Sequence, residues 1–292
     1  MSRALSFDEA KSLIGRKFGA TDAPCPLCGP HRRAANQNKK TLRLWCDDPD
    51  FITYHCVHCG EKGWCSTSAP RSTASTLTVA ESAPIIAEVK QREDDEARKR
   101  LKVALGLWRQ CRPIAGSAVE VYLRDFRGYM GQLPGTLGFL PARDDYPPAM
   151  VAAFGMPHET LPGEIAIRDS AVRGIHLTRL ASSGYGKAGT DTDKIMIGRS
   201  IGFPIVLAPV NDLLGLSISE GIEDALSMHQ ATGLGAWAAG SASRLPALAE
   251  NIPGYVEMVT IGADDDADGM KFADQLGQIV LRSRECRILV PA

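Results

Sequence analysis

The chain has 292 residues, 44% of them hydrophobic and 23% charged, with a formal net charge of −1. That balance excludes a wholly disordered chain and, at about 150 residues per domain, suggests about two domains. No apolar run approaches the roughly 20 residues of a membrane span. The start, MSRALSFDEAKS, has no apolar signal core. The chain is therefore expected to be cytoplasmic, with no membrane partner. Its eight cysteines are expected to be metal ligands or buried thiols rather than disulfides.

Charge is distributed unevenly. Residues 1–65 carry ten Lys and Arg against seven Asp and Glu, whereas residues 199–292 carry six against twelve. A mildly basic front and an acidic back imply different tasks, and the back can hold a polyanion only if cations bridge its carboxylates.

Phe7–Ile14 is predicted to form a short helix punctuated by Gly15 and Gly19. The spacing Cys25-x2-Cys28 and Cys56-x2-Cys59 follows, each pair trailed by a glycine, Gly29 and Gly60. Two such knuckles complete a tetrahedral, closed Zn2+ site, which serves folding and not chemistry. Cys46, Cys65, His31, His55 and His58 are nearby extras that a four-cysteine site does not need. Between the knuckles, HRRAANQNKKTLRLW carries Arg32, Arg33, Lys39, Lys40 and Arg43 with no acid and ends in Trp45. Cations can contact phosphates and an aromatic ring can stack on an unpaired base, which makes these six residues candidates for DNA binding; a solvated hairpin loop is the alternative.

The Ser, Thr, Ala and Pro composition of residues 66–87 predicts a flexible linker. Helical spacing of Leu101, Leu105 and Trp108 predicts an amphipathic helix over 88–110, with another helix starting near Gly116–Tyr122. Short apolar runs between 138 and 207, EIAIRD, GIHLTRL, KIMIG and PIVLAPV, predict a small antiparallel or mixed β region. After Asn211, strand-like LLGLSIS, LGAWAAG, VEMVTIGA and CRILVP alternate with helix-like EGIEDALSMHQAT, SRLPALAENI and DGMKFADQLGQIVLRS. That alternation predicts a parallel sheet covered on both faces.

Two of these strands run directly into acids. LSIS ends at Glu220, and VTIGA ends at Asp264, Asp265 and Asp266, with Asp268 and Gly269 beyond. Groups just past the carboxyl ends of parallel strands line the ligand crevice, so Glu220, Asp264 and Asp266 are expected at one edge. Crowded carboxylates repel unless a cation lies between them, and hard oxygen ligands favour Mg2+ or Mn2+, with Asp268 a further candidate ligand. Helix capping accounts for one such acid but not for four in five residues plus a partner glutamate.

SISEGIEDAL followed by IGADDDADGMKFA resembles the Toprim domain, with Glu220, Asp264 and Asp266 at its pattern positions. The order zinc ribbon, linker, Toprim core resembles the bacterial, phage and plasmid DNA primases, as do TLRLWCDDPDFITYHCVHCGEKGW and WRQCRPIAGSAVEVYLRDFRG. The resemblance implies an α/β fold: a zinc ribbon (1–65), a linker (66–87), a mixed α+β subdomain of a primase-type core (88–210) and a Toprim Rossmann-like parallel sheet (211–292). It implies primer synthesis on a single-stranded DNA template from nucleoside triphosphates, for a mobile element, with a replicative helicase as partner. Glu220, Asp264 and Asp266 would be catalytic, and Arg179, Lys187 and Lys194 would contact the nucleotide. The family usually carries a further acidic segment after its last Toprim strand. This sequence stops at RILVPA, so either Asp268 takes that part or the natural protein continues. The rival readings are a Toprim nuclease, a topoisomerase and a non-catalytic zinc-ribbon DNA-binding or recombination protein. No P-loop accompanies the acids, and no tyrosine has a recognisable nucleophile setting.

Overall fold

Ser6 and Glu9 start the first helix reciprocally. The Ser6 hydroxyl accepts the Glu9 N–H at 3.3 Å and the Glu9 carboxylate accepts the Ser6 N–H at 3.0 Å, so α1 spans Phe7–Ile14 as the sequence predicts. The structure is a computed structural model that describes residues 4–15, 18–67, 79–190 and 192–290. Its contacts divide the chain into two units, Met1–Ser82 and Ala83–Ala292.

The first unit is a four-stranded antiparallel sheet in sequence order: β1 (Gly19–Pro24), β2 (Lys40–Asp48), β3 (Phe51–Cys56) and β4 (Lys62–Ser66). Period-2 alternation sorts its side chains. Leu42, Leu44, Cys46, Ile52, Tyr54, Cys56 and Cys65 are buried and pack with Leu5, Ala10 and Ile14 from α1 and its lead-in. The other face meets solvent.

Half of the expected linker, residues 68–78, lies outside the described residues. Helix α2 (Val79–Gln110) begins well before residue 88. The Ala and Glu content of residues 80–88 supplies helix propensity that the Ser/Thr/Pro composition before it obscures. After α2 comes α3 (Ala118–Val121), capped by Ser117 and continued by a π turn over Tyr122–Phe126. Strands β5 (Leu137–Leu140), β6 (Ala149–Phe154), β9 (Gly174–Arg179) and β10 (Lys194–Gly198) form an antiparallel sheet in the order β10-β9-β6-β5. A small hairpin, β7 (His158–Leu161) and β8 (Glu164–Ala166), stands apart from it. Every residue of β6 is buried because the strand is covered on both sides. Ala149 and Val151 pack with Ala104, Leu107 and Trp108 of α2, while Met150, Ala152 and Phe154 join the core of Tyr122, Leu123 and the last sheet.

That last sheet has the order β11-β13-β12-β14-β15, built from β11 (Ile205–Ala208), β12 (Gly215–Ser219), β13 (Gly235–Ala238), β14 (Met258–Gly262) and β15 (Glu285–Leu289). It is parallel except for β11, which pairs antiparallel with β13. PIVLAPV therefore belongs to this sheet and not to the preceding β region, consistent with all four β11 residues being buried. Helix α4 (Ile222–Thr232) covers one face through Ile222, Ala225 and Leu226. Helix α5 (Ala267–Val280) covers the other through Phe272, Ala273, Leu276 and Val280. SRLPALAENI, predicted to be an α-helix, forms two 3-10 segments, Ala242–Arg244 and Pro246–Asn251, because Pro246 has no N–H to continue an α ladder. No helix among the described residues is long and apolar enough to cross a membrane.

Candidate functional site

The four predicted zinc ligands converge. The ligand atoms of Cys25, Cys28, Cys56 and Cys59 all lie within 4.8 Å of one another. The Sγ atoms of Cys28 and Cys56 are 3.8 Å apart, which matches the edge of a tetrahedron with zinc about 2.3 Å from each sulfur. Both knuckles close by the same turn: Gly29 N–H donates to Cys25 O at 2.8 Å and Gly60 N–H to Cys56 O at 2.9 Å. Gly60 needs its missing side chain for a φ of +73°. Hydrogen bonding among the four thiols draws Cys25 down to about 7 and Cys56 further down, while it pushes Cys28 and Cys59 up, so the sulfurs share protons that a bound zinc would displace. Cys46 and Cys65 are buried elsewhere, with their sulfurs against Asp48 O and Ile52 O.

The DNA-binding candidates do not form one patch. Arg33 and Lys39 are exposed on the loop before β2, and Lys40 is exposed as the first residue of β2. Arg32 is half-buried, and its Nη1 is enclosed without a hydrogen-bond partner. Arg43 and Trp45 lie on β2 rather than in the loop, and Arg43 is taken up by Asp22 through two 2.7 Å contacts. The register reveals what sequence reasoning missed. Trp45 pairs with Thr53 and Thr53 with Trp64, while Arg43 pairs with His55 and His55 with Lys62. Trp64 is 59% exposed and stacks on Phe51 at 5.7 Å, and Trp45 is 36% exposed. One solvent face thus carries three aromatic rings beside a basic row. The alternation of FITYHC and KGWC against their buried cysteines was the available signal.

The acids stand where the sequence puts them, at one edge. Strands β12 and β14 are parallel neighbours with Ser219 opposite Gly262, so Glu220 and Asp264 leave adjacent strand ends. Close approach requires the second motif glycine: a Cβ on Gly269 would lie 2.7 Å from the backbone oxygen of Asp264, whereas one on Gly221 would meet only the movable side chains of Asp224 and Glu223. Asp266 caps α5 by accepting the Gly269 N–H on Oδ1 at 2.8 Å, so the capping role is realised for this one acid. Asp264 and Asp268 are half-buried, and Asp265 is exposed. Among the described residues only the four cysteines bring three or more ligand atoms within 4.8 Å of one another. No three of the described carboxylates come that close to one another. The donor set fits a hard dication in its chemistry: oxygen ligands from Glu220, Asp264, Asp266 and Asp268 at the sheet edge where two helices begin.

Burial, and next to it the charge of Asp264, pushes Glu220 up to about 7. Lys194 opposes the shift, and Asp266 and Asp224 add to it. A carboxyl raised above its usual value near 4.5 keeps in the folded state a proton that the unfolded chain has lost, so stability falls as pH rises from about 4.5 to about 7. In metal-free buffer Glu220→Gln should stabilise the protein at pH 8 by on the order of 2–3 kcal/mol and leave it nearly unchanged at pH 4. Thermal melts at the two pH values check this, and equal melting temperatures at pH 8 would contradict it.

Lys194 begins β10, and its charge reaches both Glu220 and the buried His176, which burial and then Lys194 push down to about 4. Lys187 lies 3.9 Å from Glu223. Arg179 instead lies over the Tyr146 ring at 5.9 Å, and no close contact joins it to the acids. Glu223, Tyr122 and Arg127 were not predicted. Tyr122 Oη donates to Glu223 Oε1 at 2.6 Å, and Arg127 donates to Tyr122 Oη through Nε at 3.1 Å and Nη2 at 3.0 Å. Despite its burial, Glu223 is held down at about 2 by Lys194, the Tyr122 hydrogen bond and Lys187. A contact across 101 residues leaves no periodic trace in a sequence; the only hint was a second glutamate one helical turn after Glu220.

Residues 98–207 match a family described as a domain of unknown function, DUF7146, and residues 215–292 match the Toprim domain. The primase fragment of the bacteriophage T7 primase-helicase protein is a similar solved structure. Its TM-score is 0.35 and its identity 12%, over 93% of this chain and 90% of that one. None of the curated proteins matches the chain. Behind a four-cysteine cluster suited to zinc, the chain therefore carries a Toprim domain, with Glu220, Asp264 and Asp266 at the carboxyl edge of its sheet.

Proposed function

We propose that the chain is a DNA primase of mobile-element type, which joins nucleotides on a single-stranded DNA template. The observation that carries this reading is the Toprim edge itself: Glu220 and Asp264 leave adjacent parallel strands, and the charge of Lys194 reaches Glu220 from the preceding sheet. A divalent cation held by Glu220, Asp264, Asp266 and Asp268 would supply charge neutralisation at the phosphoryl oxygens. The chain's own residues do the rest. Lys187 and Lys194 bind phosphate. Glu220, where it is left off the cation, is suited to take the proton of the attacking 3'-hydroxyl. The closed cysteine site holds the ribbon together, and its solvent face meets the template. Arg179 is kept as a nucleotide contact only if the template or nucleotide draws it from Tyr146.

The full chain, incubated with single-stranded DNA, labelled nucleotides and Mg2+ or Mn2+, should yield short labelled products. Shortened template with no labelled product would favour a Toprim nuclease. Binding with neither would favour a non-catalytic DNA-binding protein.

The ribbon face makes a separate claim about the template. Stacking contributes about 1–3 kcal/mol per base and does not depend on salt as phosphate contacts do. Trp64→Ala should therefore weaken single-stranded DNA binding about tenfold with its salt dependence unchanged. Charge reversal at Lys39 and Lys40 should weaken binding and flatten the salt slope. Titrations at several salt concentrations separate the two, and unaltered affinity in both variants would leave the ribbon without a role in binding.

A further inference from the structure

Glu223 is a carboxylate that the proposed chemistry leaves unused. It sits in the first turn of α4, three positions after Glu220, and two other segments close on it. Tyr122 comes from the π turn and donates to it at 2.6 Å; Arg127 ends that turn and stands 3.8 Å away, with its guanidinium 5.3 Å over both the Tyr122 and Phe126 rings. Lys187 arrives from a loop seated on α3. Gly184 of that loop has φ +79°, and a Cβ there would lie 2.7 Å from Ala118 O, so the loop fits only without a side chain at that point. The result is one carboxylate gathering two cations one helical turn from Glu220.

Lys194 shows that a cation of this cleft has an alternative: its charge reaches Glu220 as well as Glu223. A lysine ammonium paired with Glu220 or Asp264 occupies the place a dication needs, and a buried carboxylate takes whichever counter-charge is nearest.

We propose that Glu223 is a positioning residue: by holding Lys187, and Arg127 through Tyr122, it keeps the cleft's cations off Glu220 and Asp264, so that those carboxylates remain available to a divalent cation while the cations face phosphate. This rests on the metal-dependent reading of the cleft given above.

The test is Mn2+ binding to the full chain at matched zinc content, read from the paramagnetic signal of free Mn2+ without nucleotide or DNA. Glu223→Gln keeps the side-chain length and an acceptor for Tyr122 but drops the charge. It should lower Mn2+ affinity about tenfold. Adding Lys187→Met should restore affinity to within about threefold of the parent, because the released cation is gone. Adding Arg109→Gln, which removes a cation paired with Asp169 outside the cleft, should not restore it. Unchanged Mn2+ affinity in Glu223→Gln overturns the proposal, as does a loss that Lys187→Met fails to rescue, since that would mark a merely structural role. If the parent binds no Mn2+, or Asp264→Asn binds it as tightly as the parent, the metal reading of the cleft fails first and this inference falls with it.

Discussion

Asp264→Asn and Glu220→Gln should each reduce nucleotide incorporation on single-stranded DNA by at least about a hundredfold while the protein stays folded. The two carboxylates leave neighbouring strand ends and repel each other in the absence of a cation, so losing one costs no packing and relieves repulsion. What is lost is charge that would hold the dication, and removing a contact that neutralises a developing phosphoryl charge costs several kcal/mol, or two or more decades in rate. Asp265→Asn should be mild, because Asp265 is exposed, does not cap α5 as Asp266 does, and is not among the charges that raise Glu220, as Asp264 and Asp266 are. Asp266→Asn should lose activity and some of the α5 cap together, since its Oδ1 receives the Gly269 N–H. Asp268→Asn tests whether this half-buried acid replaces the downstream acidic segment of the family: a strong loss says that it does, a weak loss that it does not. Incorporation rates and melting temperatures measured on the same preparations decide the matter. An active Asp264→Asn/Asp266→Asn double variant would reduce the cluster to helix capping, and the primase reading would go with it.

Removing zinc should have the largest effect on stability. Four thiolates 4.8 Å or less apart are tolerable only around a cation, and structural zinc contributes on the order of 10 kcal/mol or more to a domain this small. Chelation, or Cys56→Ser, should melt the sheet of β1–β4. The unit beyond residue 83 should stay folded, because the two units have separate cores. Trp45 and Trp64 report on the ribbon and Trp237, fully buried in the last sheet, reports on the Toprim core, so substitution of single tryptophans resolves the two transitions by fluorescence. Elemental analysis should find one zinc per chain; none in carefully purified protein, or simultaneous loss of both units on chelation, would contradict this account.

The sequence by itself determined the features written in local patterns. Each CxxC pair followed by glycine encodes a knuckle within five residues, and the 3.6-residue and 2-residue periods placed α1, α5 and the parallel strands within a few residues of their observed bounds. Glu220 and Asp264 were legible for the same reason: a strand that stops at an acid and turns into a helix puts that acid at the sheet edge whatever the rest of the chain does. Only the tertiary structure decided what depends on contacts between distant segments. Ile205–Ala208 reads as one more short apolar strand, and its membership of the last sheet follows from pairing with Gly235–Ala238. Arg43 looks like a DNA contact until the register sets Asp22 opposite it, and only the register sets Trp64 in the solvent row with Trp45. The Tyr122–Glu223 contact belongs to the same kind: its two side chains come from different sheets' helices, and burial makes their hydrogen bond obligatory once packing brings them together.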